Sequence, residues 1–487
     1  MPDMPDMQTN TSGASDSSGS PGAPGAPAAA PARKIHRAGT LRYTMAGIVM
    51  LFMWLLWGDF GFTIFEEIFG RFLPLYMKDL GASNTMIGVL TGSLGGIVNL
   101  LFLPGISIAS DRHRGPRGRR IPFLLWSTPC AVASLILIGF SSEIGGWLQA
   151  LLGGASVEVT VATVTLVMLS IFVGMYHFFN MVLVNLYNCL LRDVVPPALM
   201  ARFLALFRIV STLGRFVFSW YVFPHILTHR ELVFLGIGMI YLAAFMLMCW
   251  RVKEGEYAPP ATEKPKGILS TYITYFRDCL TVPVYRNFLF MYACVTVAST
   301  CAMPFVTLYT RDTIGLSMEQ IGKAFAWGWL AAAVAYIPFG YLCDKVSPMR
   351  VAACALSGLM LAWGVGYFAI RDGTSWLVYW VVVQMAPGTA WNLSFTALTM
   401  QLFHQGKFAQ LSSGLNVLGY GVTSIAGNFL CGKFIDLTGG NYQMIFVWSF
   451  FWFALGVGFM ALVYRHWKRL GGADDYTAPL PGKSAST

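Results

Sequence analysis

The sequence predicts an all-α membrane protein, with twelve transmembrane helices arranged as two pseudo-symmetric bundles of six. Three observations carry that prediction. The 487 residues are 56% hydrophobic and 15% aromatic, with a mean hydropathy of +0.59, which is more apolar surface than a compact soluble fold can hide. Apolar runs of about 20 residues or more recur, each long enough to cross a hydrocarbon core of about 30 Å as a helix, and the alternating short segments of a β-barrel are absent. A charged loop between two of these runs, Ser110-Asp111-Arg112-His113-Arg114-Gly115-Pro116-Arg117-Gly118-Arg119-Arg120, has a weaker echo half a chain later in Gly340-Tyr341-Leu342-Cys343-Asp344-Lys345-Val346-Ser347-Pro348-Met349-Arg350.

The elements follow in order. Residues 1–42 begin with a stretch rich in Pro, Ala, Gly and Ser that has no apolar run, and they read as a disordered tail and not a cleavable signal. The amino-terminal bundle, 43–252, holds runs near 43–78, 84–110, 121–140, 158–191, 197–223 and 230–252. A polar linker at 253–285 carries Glu254, Glu256, Pro259, Pro260, Lys264 and Lys266. The carboxyl-terminal bundle, 286–465, holds runs near 286–310, 317–342, 351–370, 375–403, 408–436 and 442–465, and a basic tail, 466–487, closes the chain.

Charge placement supports this count. Arginines and lysines gather before the first run, after the second, fourth and eighth, in the linker and after the last run, while the alternate loops, such as 141–156, are poor in them. The positive-inside rule then puts both termini and the linker in the cytoplasm of a multi-pass protein, expected in a bacterial inner membrane. The same placement explains the net charge of +10 without nucleic acid. The nine cysteines show no CxxC or Cys/His pattern, so they read as packing residues and no metal site is expected.

Two six-run halves with an arginine-rich loop after the second run, echoed after the eighth, resemble the major facilitator superfamily over about 43–465. The superfamily's loop reads G-x-x-x-D-R-x-G-R-R. Here Asp111-Arg112 and Gly118-Arg119-Arg120 stand further apart and lead into Pro122-Phe123, a form similar to the sucrose-transporter branch and the glycoside–pentoside–hexuronide:cation symporters. Ser107 stands where the superfamily has its glycine, whereas the second loop keeps Gly340-x3-Asp344. The resemblance implies a secondary transporter that binds its solute between two rocking halves. Asp111, Arg112, Gly118, Arg119 and Arg120, with Gly340, Asp344 and Arg350, are the expected gating loops, whose ion pairs favour one closed face; the alternative is a determinant of topology and lipid contact.

Ionisable residues inside the runs cost several kcal/mol on insertion scales and so demand an explanation. At about 100° per residue, Asp59, Thr63, Glu66 and Gly70 share one stripe of the first helix, with Glu67 about 80° aside. Arg208, Ser211, Thr212 and Arg215 share a face of the fifth. In the resembled superfamily both helices line the cavity, so Asp59, Glu66, Arg208 and Arg215 are the expected coupling set, and a static ion pair between the helices is the alternative. The fourth run adds His177, Asn180 and Asn188. It lacks the acidic residue that sugar symporters of the resembled families use there, which moves the proton to Asp59/Glu66 or to His177. In the second half, Gln384, Trp391, Asn392 and Asn416 are the expected cavity residues, since amides pair with hydroxyls and the apolar face of a sugar stacks on Trp; interhelical hydrogen bonding is the alternative.

The expected activity is cation symport of a small polar solute, a sugar or glycoside. The coupling ion is a proton, with sodium as the alternative, and no cofactor is implied. Its partners are the solute and the bilayer, and the expected state is a monomer. Drug efflux on the same fold is the second reading and a membrane sensor the third. No HExxH or GxSxG motif is present, so no enzyme is expected.

Overall fold

The computed structural model describes residues 36–151, 160–256, 279–404, 407–472 and 476–479, together with 273, 276 and 277. The first half is built from Met45–Asp79 (α1), Asn84–Arg112 (α2), Ile121–Gly139 (α3), Val161–Val194 (α4), 200–225 (α5) and Arg230–Arg251 (α6). The second is built from Pro283–Thr313 (α7), Met318–Val346 (α8), Pro348–Ala369 (α9), 373–402 (α10), 408–437 (α11) and Met444–Arg469 (α12). Among the described residues ten of these are individually long and apolar enough to cross a membrane. The other two, α10 and α11, carry Gln384, Pro387, Gly388 and Asn392, and Asn416 and Asn428, which dilute their hydropathy.

The ends correct several sequence-based bounds. His36–Ala38 pairs with Leu41–Tyr43 in a small hairpin turned by Gly39, within the stretch assigned to the tail. Thr40 ties this hairpin to the end of the first half by accepting a 2.9 Å hydrogen bond from the Glu256 amide. The linker's residues 257–272, and the tails 1–35 and 480–487, lie outside the described residues. Helix α12 runs on through His466, Lys468 and Arg469, residues assigned to the last tail, because cations suit a helix carboxyl end. The loop predicted at 141–156 contains a short helix, Ser141–Leu151, with Trp147 exposed; residues 152–159 fall outside the description.

Duplication shows most plainly at one turn. Between α1 and α2 the chain reads Leu80-Gly81-Ala82-Ser83, and between α7 and α8 it reads Ile314-Gly315-Leu316-Ser317. Gly81 and Gly315 have φ of +80° and +77°, the left-handed conformation that ends a helix at low cost only for glycine. Ser83 and Ser317 then cap the next helix by accepting from the amides of Met86 and Gln320, both at 3.2 Å. Among the described residues, five helices also contain a wide π-turn, at 89–93, 218–222, 309–313, 379–384 and 415–422. Such turns loosen the regular ladder and re-aim side chains.

The halves meet at the end away from the arginine-rich loop. Gly88, Gly92 and Gly96 make a stripe on α2 whose surface is filled by Asn428, Gly432 and Ile425 of α11, so close that no side chain larger than hydrogen fits. Asp436 of α11 reaches the first turn of α2, accepting from the amides of Asn84 and Thr85 at 3.0 and 2.8 Å and from both their side chains. Tyr442 donates to Asn84 at 2.9 Å, and Arg311 of α7 pairs with Asp79 of α1 at 2.9 Å. On the other seam Gly322 of α8 lies against the Ser219 carbonyl and Phe223, while Trp220 meets Trp327 edge-on.

Candidate functional site

Midway along the first half, α1, α4 and α5 together with α8 enclose a cavity of about 110 Å³. Its polar wall includes Asp59, Glu66, Asn188, Arg208, Thr212 and Arg215, and α8 contributes Trp329, Ala332 and Tyr336. The predicted coupling set is therefore brought to one cavity. A larger groove of about 480 Å³, lined by Met53, Trp54, Trp57, Phe60 and Val210, lies beside it between α1 and α5 and is almost wholly apolar.

Asp59 sits deepest, 2% exposed, held against α5 by Ser211, whose hydroxyl is 2.7 Å from Oδ2. The same hydroxyl lies 2.8 Å from the Phe207 carbonyl, so its single proton has two oxygens within reach. Tyr187 of α4 lines the same wall and donates to the Leu55 carbonyl at 2.8 Å. The close helix contact that buries Asp59 needs small residues. Gly58 faces Met248 and Gly61 faces Ala244 of α6, while Gly214 of α5 touches Thr63 and Phe60.

Glu66 is ringed by protein but open to the cavity, and among the described residues no cation lies within ion-pair distance of it. Arg208 likewise lines the cavity exposed, and among the described residues no carboxylate lies at ion-pair distance. The arginine expected to face Asp59 and Glu66 instead meets Glu67, the neighbour placed aside by the helical count. Arg215 Nε lies 3.1 Å from Glu67 Oε1, a close charge contact without hydrogen-bond alignment. Arg71 Nε donates to the other oxygen at 2.8 Å. Both guanidinium groups then lie over rings of α8, Arg71 on Phe325 at 3.9 Å and Arg215 on Trp329 at 4.9 Å. Glu67, Arg71, Phe325 and Trp329 thus form a charged floor between the halves. The i, i+4 spacing of Glu67–Arg71 and of Phe325–Trp329 is legible in the sequence; the pairing with Arg215 is not.

The other predicted residues lie elsewhere. His177 places Nε2 2.8 Å from the Leu90 carbonyl and packs over Gly95 and the edge of Phe69, joining α4 to α2 outside the cavity. Asn180 keeps a buried Oδ1 without a partner among the described residues. In the second half Gln384 is buried with its Oε1 unpaired among the described residues, and Trp391 is buried against Phe395. Asn392 turns its amide onto the Gly388 carbonyl of its own helix, and Asn416 is exposed on α11. None of these four second-half residues lines the cavity.

The first loop is a network inside one half. Arg119 makes a fork to Asp193 of α4, 2.9 Å to each oxygen. Arg120, 5% exposed, pairs with Asp111 and donates to Ser110 at 2.9 Å. Glu254, beyond α6, accepts from the amides of Arg119, Arg120 and Ile121 at 2.8, 2.8 and 2.6 Å, capping α3 from a segment far away in sequence. Gly118 has φ of +95° and lies directly against Glu254. Arg112 ends α2 in the open. The loop therefore staples α2, α3, α4 and α6 together through these contacts. Among the described residues, Gly340, Asp344 and Arg350 of the second loop make no such network.

The fold has several solved counterparts. A bacterial homologue of the iron transporter ferroportin, in an inward-facing state, matches with a TM-score of 0.64 at 14% identity, covering 85% of this chain and 99% of that one. The outward-facing state of a bacterial ferroportin homologue matches at 0.53, also 14% identical, over 85% and 98%. A point mutant of the nucleoside transporter NupG matches at 0.62 with 13% identity, over 85% and 99%. No curated protein matches the chain in sequence. The family model described as the Major Facilitator Superfamily matches residues 60–410, well over half of the chain, and the protein therefore belongs to that superfamily of membrane transporters and is not an enzyme.

Proposed function

We propose that the protein is a proton-coupled symporter of a small polar solute, a sugar or glycoside, captured closed to the outside and open toward the cytoplasm. One observation carries the reading: a cavity midway along the apolar helices holds two carboxyl groups, Asp59 and Glu66, that no cation among the described residues pairs at contact distance. A carboxyl group in such a place is stable when it carries a proton or meets a solute, and alternating access exposes it to each side in turn. Asn188, Thr212 and Tyr336 supply hydroxyl and amide partners for a polyol, and the Trp329 ring supplies a face for its apolar side.

Orientation follows from charge. The arginine-rich loop and the basic ends lie at the end of the molecule opposite the sealed seam, and the positive-inside rule assigns that end to the cytoplasm, with both termini there. The higher TM-score to the inward-facing structure, 0.64 against 0.53, agrees with this. A bacterial inner membrane is the matching location, and a monomer suffices because the cavity is complete within one chain.

Uptake of radiolabelled sucrose, melibiose, glucose and xylose by proteoliposomes, with and without an inward proton gradient, tests the reading. Gradient-stimulated uptake of one of them, abolished in Asp59→Asn, is the expected result. Uptake unaffected by the gradient removes the proton, and a sodium gradient then takes its place in the assay. No uptake under any gradient, with inserted and folded protein, overturns the sugar assignment.

A further inference from the structure

The hydroxyl of Ser211 stands between two oxygen atoms that both need its single proton. Asp59 Oδ2 is 2.7 Å away and the Phe207 carbonyl 2.8 Å away. A serine hydroxyl donates once and accepts twice. Both short contacts are hydrogen bonds at the same time only when Asp59 Oδ2 carries a proton and donates it to Oγ, while Oγ donates to Phe207. When Asp59 is ionised, Oγ–H turns to the carboxylate and the Phe207 carbonyl loses its extra partner. The surroundings leave Asp59 no substitute. Tyr187 of α4 commits its hydroxyl to Leu55, Arg215 of α5 is taken by Glu67, Arg208 stands beyond contact distance, and Glu66 on α1 adds a like charge. From α6, Met248 meets α1 at Gly58 and Tyr241 touches Gly61; from α8, Trp329 and Tyr336 complete the wall.

We propose that Ser211 is the positioning residue that links the proton on Asp59 to the backbone of α5. This rests on the proton-symport reading above. A proton entering from the cavity adds to Asp59 Oδ2, the acid donates to Ser211 Oγ, and the Ser211 proton swings to Phe207; deprotonation reverses each step and returns the proton to water. Serine bonded to the carbonyl one turn back bends a helix, so the two states give α5 different curvature. Helix α5 carries Arg208 and Arg215 on the cavity wall, and its far end meets α8 at the Ser219–Gly322 contact of the sealed seam. One hydroxyl thereby joins proton occupancy to the helix that both lines the cavity and closes the outside.

The test needs no solute. Infrared difference spectra of the purified, lipid-reconstituted protein, titrated from pH 4 to 10, follow the carboxylic C=O band that disappears in Asp59→Asn. In Ser211→Ala the ionised form loses a charge-assisted hydrogen bond and the acid only a neutral one, so the midpoint of that band should move up by about one pH unit, the difference between the two. Ser211→Thr, which keeps the hydroxyl, should restore the original midpoint, and Ser211→Cys, a weak donor of similar size, should fall between; a merely space-filling role predicts no such order. An unchanged midpoint in Ser211→Ala or Ser211→Cys overturns the inference, as does the absence of a titrating Asp59 band. Gradient-driven sugar uptake by the wild type judges the symport reading separately. Uptake with an unmoved Ser211→Ala midpoint removes Ser211 alone, whereas no uptake under any gradient removes the reading on which it rests.

Discussion

The two loops that mark the duplication, 110–121 and 340–350, occupy matching places and treat charge in opposite ways. In the first, Arg119, Arg120, Asp111, Asp193 and Glu254 form one connected network, and Arg120 is nearly buried. In the second, Asp344 and Arg350 are exposed and, among the described residues, make no hydrogen bond or ion pair, while Lys345 lies over the Tyr341 ring. The difference teaches that the motif is not a latch between the halves in this conformation. It is internal bracing, present in full in the half that carries the buried carboxyl groups and reduced to a spacer in the other. A half that holds Asp59, Glu66 and Glu67 in the membrane has helices that need firm fixing; the second half, with neutral amides, does not.

Glycine substitution breaks the comparison hardest. Gly118→Ala forces a side chain into a left-handed φ and against Glu254, so it should cost about 3 kcal/mol from backbone strain and the disturbed amide cap together. Gly340 has only Leu393 at 3.8 Å and an ordinary φ, so Gly340→Ala should stay within about 0.5 kcal/mol. Thermal unfolding in detergent, read by a thiol-reactive dye on the mostly buried cysteines, measures both. Equal losses at the two positions would refute the asymmetry.

The sealed seam is the next largest effect, because it too ties charge, but across the halves. Asp436 sits at the amino end of α2, where four donors and the helix dipole favour an anion. Asp436→Asn keeps the shape, removes the charge and turns an NH2 toward donors. It should weaken the closed seam by about 2 kcal/mol. Spin-label distances between the outer ends of α2 and α11 should then broaden toward longer values, with little change between the arginine-loop ends of the same half. A distribution identical to wild type would mean that the glycine stripe alone holds the seam.

Much of this is legible in the amino-acid sequence. Apolar runs gave all twelve helix starts to within about three residues, since hydrocarbon thickness fixes helix length. Helix α5 starts at Met200, directly after a short turn at Pro197–Leu199. The stripe of Asp59 and Glu66 and the facing arginines of α5 were visible from helical periodicity, and the cavity gathers them. Periodicity failed at the next level, the choice of partner. Glu66 and Glu67 differ by one position, and which of them meets Arg215 depends on the rotation of two packed helices. Glu254 and Asp436 were invisible for another reason: each caps a helix far away in sequence, and a lone acid in a polar stretch or at a helix end carries no signal of its target. The stripe Gly88, Gly92, Gly96 was readable from its spacing of four. His177, with ring nitrogens suited to proton transfer, is a packing residue because the Leu90 carbonyl and the Gly95 surface take its edges.

A double-mutant cycle gives the smallest effects and the finest discrimination. Arg119 and Asp193 form a fork of three hydrogen bonds whose side chains are only 20% and 16% exposed, so their coupling energy should be about 1.5 kcal/mol when Arg119→Ala and Asp193→Ala are combined. Asp344→Ala and Arg350→Ala should couple by less than about 0.3 kcal/mol, because exposed charges that do not touch are screened by solvent. Arg119→Lys adds the geometric control: the charge stays but the planar fork is lost, so it should recover less than half of the coupling. If lysine recovered all of it, the loop would work by charge alone. The second loop, which has the charges without the geometry, would then be expected to brace its half as well, and its measured coupling would have to rise to match.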